Sequence, residues 1–429
     1  MEYLLFPPYI FRVLISLGSI LVVQKLVKSL EIALVAGILV LAFWSGHELL
    51  GVGQIVLTRI WSLDSLFLSL VIVGVIWLSS LLSEAGVMRD LVTSLQDRLS
   101  KRWLLAALPA VVGLLPMPAG ALFSAPLLHD SDTSQKINPL IKAEINYWFR
   151  HIWEFWWPLY PGVLLAVDIT NVPVWKFVLV MFPMFFASIG AGYLFLLKRV
   201  SNGDTQSPGI SRKGILSLIL PTLTVILVYA VLLGLWPSIS EYNKYLPISL
   251  GVVAGLAILQ FQHSLSWEKW KKVLSSDRTI GLVLIVLLAR VYGAFIEASL
   301  PDGVFLMDKI REELNQFGIP LLALIILIPF ISGVTTGITV GYVGASYPVI
   351  FRLLGANPTA SVLFSTIVLT HTSGYLGMIF SPIHVCLIVT NQYFKTSLWE
   401  SLRGLIKPGI IVLGYAAVYA AFLSLLLKG

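Results

Sequence analysis

The sequence predicts an all-α polytopic membrane protein made of two inverted repeats, each with five transmembrane helices and one re-entrant hairpin. Hydrophobic residues make up 57% and charged residues 12% of the 429 positions, far from the averages of soluble domains. Long runs with almost no ionisable groups, such as 63–82 and 408–427, can each cross a hydrocarbon core of about 30 Å as a helix. In addition, the two halves of the chain carry matching motifs in the same order.

Composition also limits the function classes. The single cysteine, Cys386, excludes a disulfide framework and any metal site built from cysteines, and the six histidines show no HExxH spacing. A metalloenzyme is therefore not expected. The net charge of +7 comes from short basic clusters between apolar runs, so membrane topology explains it better than nucleic-acid binding does.

Ten apolar segments predict the spanning helices, and two more are interrupted. The ten lie near residues 9–24, 31–50, 62–83, 139–167, 174–197, 213–236, 246–262, 278–297, 358–391 and 404–427. Residues 103–128 and 318–350 are apolar but broken by small residues, proline or glycine. We expect re-entrant hairpins there, because irregular backbone at membrane depth needs protein or a polar cavity to satisfy it. The first segment is interpreted as a retained span, with a cleaved signal peptide as the alternative.

The basic residues predict the orientation. We let each of the ten helices cross the membrane once and let each hairpin return to the side from which it entered. Most lysines and arginines of the loops then fall on one side of the membrane. The positive-inside rule makes that side cytoplasmic. Both termini are then outside, the first hairpin enters from the cytoplasm, and the second enters from outside.

The repeat divides the chain into residues 1–200 and 201–429. Ser83–Gly86 matches Ile296–Ser299, each before a mixed polar and apolar stretch, and each hairpin follows. Asn138-Pro139 then matches Asn357-Pro358. Five crossings plus a hairpin is an odd number of crossings, so the second half is inserted upside down. This is the pattern of inverted-repeat secondary transporters, whose site lies at the midplane between interrupted segments.

The hairpin tips are predicted to bind ions. Helix arms that end inside the membrane leave backbone groups without helical partners; the amino end suits a carboxylate and unwound carbonyls suit a cation such as Na⁺. The alternative is that small residues only permit close helix packing. The candidate residues are Pro118, Gly120, Ser124, Thr335, Thr336, Gly337, Thr339 and Gly341.

Prolines predict breaks in the fourth and ninth helices, at Pro158 and Pro382, because proline removes a backbone donor and clashes with the preceding turn. Polar residues crowd around the second break and predict a substrate cavity wall. The alternative is a packed, kinked helix whose hydroxyls bond to their own carbonyls. The residues concerned are His371, Thr372, Ser373, Ser381 and His384.

Ionisable residues inside the membrane are costly and are therefore functional candidates. His151 and Glu154 are three residues apart and can share a helix face, which makes them candidates for proton coupling. Arg290 lies about two turns inside the eighth helix. It either pairs with a substrate carboxylate or neutralises Glu297.

These hairpins, together with the stretch Gly377–His384, resemble the ion transporter superfamily, and most closely its bacterial and archaeal membrane-protein family of long-unassigned function. The resemblance implies carriage of organic anions with Na⁺ or H⁺ across the cytoplasmic membrane, by elevators within homodimers. It also implies that hairpins 103–128 and 318–350 form a moving transport domain with the broken helices 139–167 and 358–391. The other helices would form the scaffold. The dicarboxylate branch of the superfamily has Ser-Asn-Thr at the hairpin tips, whereas this chain has no such motif at either tip.

The expected function is secondary transport of a small, carboxylate-type organic anion by alternating access. The expected partners are this anion, the lipid bilayer and a second copy of the chain, with no nucleic acid and no cofactor besides the coupling ion. The alternative is a Na⁺/H⁺ or other cation antiporter. A membrane-embedded hydrolase is not expected, since the chain lacks the Gly-x-Ser-Gly and Gly-x-Gly-Asp motifs.

Overall fold

The computed structural model describes residues 7–87, 99–116, 120–132, 137–200, 212–355 and 357–427, with the backbone alone at 212–219 and 278. Within these ranges the chain is helical, and its strand-like pairing is limited to a bridge between Ser299 and Phe305.

The first half contains nine α-helices in its described residues. They are α1 (Tyr9–Val27), α2 (Leu30–Trp44), α3 (Leu49–Ile60), α4 (Leu63–Glu84), α5 (Lys101–Gly113), α6 (Ala121–Ser131), α7 (Pro139–Arg150), α8 (Pro161–Thr170) and α9 (Val174–Phe195).

The second half contains eleven over its described part. They are α10 (Arg212–Leu235), α11 (Ile239–Tyr242), α12 (Leu246–His263), α13 (Trp267–Leu274), α14 (Asp277–Glu297), α15 (Leu306–Phe317), α16 (Leu321–Thr336), α17 (Thr339–Leu353), α18 (Ala360–Ile379), α19 (Val385–Phe394) and α20 (Leu398–Leu426).

Seven helical segments in the described chain are long and apolar enough to cross a membrane, or eight if the bent pair α15 and α16 counts as one span. The protein is therefore a multi-pass membrane protein. The seven are Tyr9–Val27, Leu63–Glu84, Val174–Arg199, Leu246–His263, Trp267–Glu297, Ala360–Ile379 and Leu398–Leu426.

The count differs from the ten predicted spans for local reasons. The predicted span 31–50 ends early because the chain turns after Trp44, where Gly46 has a φ of +70°, and α3 follows as a separate short helix. Segment 139–167 is divided into two short helices, and segment 213–236 enters the count only as the shorter stretch Leu220–Leu235, whose side chains are described. Segment 358–391 is also broken but keeps the long span Ala360–Ile379. Proline accounts for part of this, since both breaks contain one.

Both interrupted segments form paired helices. We call α5 with α6 the first hairpin and α16 with α17 the second hairpin; the two helices of each pair pack on each other. The second hairpin turns at Gly337, whose φ of +65° suits a residue without a side chain. Ahead of it, α15 bends from α16 by 113° and has one buried apolar face, as the mixed pattern of 302–316 predicts. The matching stretch of the first half lies mostly outside the described residues.

A buried ion-pair cluster anchors the first hairpin to α7. The carboxylate of Asp132, just after α6 and outside the membrane-spanning helices, accepts from Lys101 at 2.9 Å and from Lys142 at 3.0 Å. Burial by itself raises the pKa of Asp132, but the two lysines and the Ile137 amide outweigh it and lower the pKa to about 2.

The two halves are interlocked and do not pack as separate units. Helix α8 packs on α17 and α7 packs on α19, in each case across the halves; within the second half, α16 lies along α18. At the last contact Gly377 lies against the Phe330 backbone, so that a side chain there would overlap the carbonyl carbon at 2.9 Å. This interlocking brings the interrupted segments of both halves to one place.

Candidate functional site

The site is built around two breaks in helices. The first break, residues 151–160, separates α7 from α8, and the second break, residues 380–384, separates α18 from α19. Pro158 and Pro382 both lie inside these non-helical segments. Irregular turns replace the helix there; in the first break, for example, the amide of Glu154 donates to the carbonyl of His151 at 3.1 Å. Consecutive side chains at such a break can point into the same cavity. In a regular helix they would be distributed around the helix axis.

A cavity of about 550 Å³ lies between the breaks and the hairpins, and we call it the central cavity. Both breaks, both hairpins and two further helices, α2 and α14, line it. Its polar or ionisable lining residues are Glu31, Arg150, His151, Glu154, Tyr160, Asp277, Thr339, His384 and Cys386.

Arg150 brings a positive charge to this cavity. Its guanidinium lies against Gly120, directly before the amino end of α6, with 2.5 Å between Cζ and the Cβ that an alanine would carry. Only glycine leaves room for the guanidinium at this position. The amino end of a helix is itself partly positive. Arg150 and α6 therefore place two sources of positive potential side by side.

Two histidines from different halves face each other in the cavity wall. Nε2 of His384 lies 3.1 Å from Nε2 of His151, and the rings are nearly perpendicular. Nδ1 of His151 donates to the carbonyl of Tyr147 at 2.6 Å, since the carbonyl can only accept. Neutral His151 therefore carries its lone pair on Nε2, toward His384. Glu154 is close as well, with its Oε1 3.9 Å from the same nitrogen.

Glu154 also joins the first break to the second hairpin. The hydroxyl of Thr339, at the first residue of α17, donates to the Glu154 carboxylate. The same hydroxyl lies 3.3 Å from the sulfur of Met378. The first turn of α17 is thus tied to the first break and to the last turn of α18, just before the second break.

His371 lies behind the cavity and not in its lining. It is fully buried in α18, and both of its ring nitrogens have partners: Nε2 lies 3.0 Å from the carbonyl of Glu154, and Nδ1 lies 2.6 Å from the hydroxyl of Tyr347. The carbonyl requires an N–H on Nε2, so Nδ1 accepts from the tyrosine. His371 supports the first break from outside the cavity.

Several predicted hydroxyls bond to nearby backbone. Thr335 and Thr336 donate to the carbonyls four residues earlier, each at 2.7 Å, and Ser381 donates to Val334 at 2.6 Å. The two threonine bonds are the usual back-bonding of hydroxyls within a helix, whereas Ser381 bonds to a different helix, α16. The Ser381 bond still ties the second break to the second hairpin.

The remaining predicted residues have different surroundings. Ser124 bonds weakly to Gly120 at 3.4 Å, and Gly341 packs on Thr336 within its hairpin. Thr372 and Ser373 are buried in α18, and their hydroxyls have no hydrogen-bond partner in the part of the chain that is described. Pro118 lies outside the described residues.

Arg290 lies away from the central cavity, in a buried ion pair. It donates to the carboxylate of Asp168 at the end of α8, which also accepts from Lys244 at 3.1 Å and from Tyr245. Glu297, the partner considered from the sequence, is held by Arg59 and Arg352 instead. The network joins α8 to α14 and to the segment before α12.

The cavity lining includes four polar residues that had no predicted binding role: Glu31, Tyr160, Asp277 and Cys386. Cys386 served only to exclude disulfides and cysteine-built metal sites. The hydroxyl of Tyr160 donates to the carbonyl of Gly113 at the end of α5, tying the first break to the first hairpin. A signal for Cys386 was present in its position two residues after His384.

Comparison with known proteins places the chain in a family. The family described as "Protein of unknown function (DUF401)" matches it over residues 10–424. The chain belongs to this family. A search of curated proteins found no match for this DUF401 member.

A solved structure with a similar fold is that of the Alcanivorax borkumensis YdaH transporter, reported to have an unusual topology. The TM-score is 0.55 at 11% sequence identity, and the match covers 86% of this chain and 87% of that one. At this identity the likeness concerns the fold, and the two proteins share it over nearly their whole length.

Proposed function

We propose that this protein is a secondary active transporter that moves a small organic anion of carboxylate type across the cytoplasmic membrane of a prokaryote. The observation that carries the proposal is the central cavity, which both breaks and both hairpins line. Its volume of about 550 Å³ suits a small molecule. The fold shared with a transporter supports the same class of function.

Charge favours an anion as the substrate. Arg150 lines the cavity beside the amino end of α6, and a carboxylate placed there would accept hydrogen bonds from the guanidinium. His151 and His384 add two imidazoles that donate or accept according to tautomer. Glu31 and Asp277 lie at the opposite wall. Because their carboxylates would repel an anion, they would favour binding of the ligand against the breaks.

The position of the cavity supports alternating access as the mechanism. One wall consists of the hairpins and breaks, which in this proposal form the moving transport domain; the other consists of α2 and α14, which belong to the scaffold. An inverted repeat with elevator motion, within a homodimer and with both termini outside, completes the proposal. The common order of hairpin followed by broken helix in both halves supports it.

Glu154 is the carboxylate at which a coupling Na⁺ or H⁺ would bind, with His151 beside it. The same carboxylate favours the second candidate, a cation antiporter. In that case Glu154, Glu31 and Asp277 would supply the acidic lining that a cation needs.

The test is thermal stabilisation of the purified protein by carboxylates, sugar acids and peptides, each in Na⁺ and in K⁺ at two pH values. A bound ligand stabilises the folded state by mass action, about 2.7 kcal/mol at a hundredfold excess over Kd. A stabilising carboxylate should then be taken up into proteoliposomes. Arg150→Gln should lose the stabilisation, while the matched control Arg352→Gln, in a half-exposed ion pair, should keep it.

The outcomes separate the candidates. Stabilisation by a carboxylate that also requires Na⁺ supports Na⁺-coupled anion transport. Stabilisation by Na⁺ with no active anion favours the antiporter. Equal carboxylate stabilisation in the Arg150→Gln protein would remove the guanidinium from the binding site.

A further inference from the structure

Three metal-ligating side chains from the two breaks meet at the central cavity. His151 belongs to the first break, while His384 and Cys386 belong to the second break and the start of α19. One ligand atom from each lies within 4.8 Å of the others, and all three side chains are buried. The two histidines are 233 residues apart in the chain, so no local spacing predicts the group.

The ring nitrogens are available for a metal. Nε2 of His151 carries a lone pair, because its Nδ1 donates to Tyr147 at 2.6 Å. Such a bond to a carbonyl is the usual support of a metal-bound histidine. Nε2 of His384 faces this Nε2 of His151, and Nδ1 of His384 has no hydrogen-bond partner among the described residues. His371 differs, since partners hold both of its nitrogens.

The spacing suits a tetrahedral metal. Two nitrogens bound to Zn²⁺ lie about 3.3 Å apart, and a nitrogen and a sulfur about 3.5 Å apart. The two Nε2 atoms are 3.1 Å apart, close to the first value. All three ligand atoms lie within 4.8 Å of one another, so the thiol is at most about 1.3 Å beyond the second value.

We propose that His151, His384 and Cys386 form a binding site for a thiophilic transition metal, with Zn²⁺ as the ion expected. Imidazole with thiolate is a donor set that Zn²⁺ accepts, whereas Mg²⁺ and Ca²⁺ prefer oxygen ligands. Forming the metal–sulfur bond displaces the thiol proton, which is released to solvent. Three protein ligands leave a fourth position open toward the cavity.

Charge around the group is compatible with a cation. Arg150 interacts with Cys386 and opposes metal binding, but the thiolate and Glu154 supply two negative charges nearby. Glu154 Oε1 is 3.9 Å from Nε2 of His151 and can itself reach the fourth position. The site does not depend on the proposed transport function, since it rests on these ligands alone.

The first experiment titrates the purified full-length protein with Co²⁺, which occupies zinc sites and absorbs light. The expected result is a thiolate-to-cobalt charge-transfer band at one Co²⁺ per chain, which Zn²⁺ abolishes. Cys386→Ser should lose this band, and His384→Ala should weaken Co²⁺ binding by tenfold or more. His129→Ala is the control, because His129 packs on Tyr393 and is not one of the three ligands.

A second measurement needs no variant. Cys386 is the only thiol in the chain, so alkylation reports on it alone. Zn²⁺ should slow alkylation of the wild-type protein at least tenfold, and a chelator should restore the rate. Any one of four results would overturn the proposal. The charge-transfer band is absent, or it persists in Cys386→Ser. Co²⁺ binding is unchanged in a folded His384→Ala protein, or Zn²⁺ does not change the alkylation rate.

Discussion

The buried pair of Asp168 and Arg290 allows a quantitative prediction. The two side chains are 7% and 5% exposed, so replacing Arg290 by methionine leaves a carboxylate without its main partner in the protein interior. Breaking a buried pair in this way typically costs about 3–5 kcal/mol. Lys244 remains 3.1 Å away and is 32% exposed, so we expect the lower end, about 3 kcal/mol.

Thermal unfolding in detergent, followed by tryptophan fluorescence, measures this loss. An unfolding entropy of about 2.1 cal/mol/K per residue gives about 0.9 kcal/mol/K for the whole chain, so Arg290→Met should lower Tm by roughly 3 °C. Arg352→Met is the control. It breaks a half-exposed pair with Glu297, which Arg59 continues to hold, and should change stability by less than about 1 kcal/mol.

A double variant tests the physical reason. Asp168→Asn together with Arg290→Met removes both charges, so much of the lost stability should return and the two effects should not add. The reasoning is refuted if Arg290→Met is no more damaging than Arg352→Met. It is also refuted if the double variant is as unstable as the sum of the single ones.

Three further predictions concern packing, pH and the cavity wall. Gly377→Ala should lower Tm by several degrees because its methyl group would overlap the backbone of α16, whereas Gly190→Ala, with open space around it, should not. Asp132→Asn should destabilise most near neutral pH. Because the folded pKa is lowered to about 2, the wild-type advantage is present above the unfolded value near 4 and should vanish as the pH falls through 2 in pH-dependent Tm measurements. Thr339→Val should weaken stabilisation by the anion more than Thr339→Ser, since serine keeps the hydroxyl that contacts the carboxylate of the first break; equal weakening would contradict the hydrogen-bond argument.

Local pattern was enough to predict most of the elements. The hairpins and the two broken helices follow from runs of apolar residues interrupted by glycine or proline, and each break contains the proline that predicts it. Asn138, which the sequence marked only as part of a matching Asn-Pro pair, caps α7: its side chain accepts from the amide of Leu140. The predicted span 31–50 was too long, since hydropathy alone does not detect the turn at Gly46.

Pairing of side chains was predicted less well. Arg290 had two sequence candidates as partners, and the structure gives a third, Asp168, because α8 and α14 meet only after folding. His371 is similar: its sequence neighbours predict a cavity wall, but the hydroxyl of Tyr347 and a carbonyl of the first break hold it behind the wall.

The sequence by itself determined the membrane class, the interrupted segments and the types of residue near them, because these depend on hydrophobicity and backbone preference over a few turns. The tertiary structure decided which of these residues share the central cavity. Contacts such as His151 with His384, or Thr339 with Glu154, join segments almost 200 residues or more apart. Such contacts depend on how α7, α8, α17 and α19 pack together, and no local pattern encodes that packing.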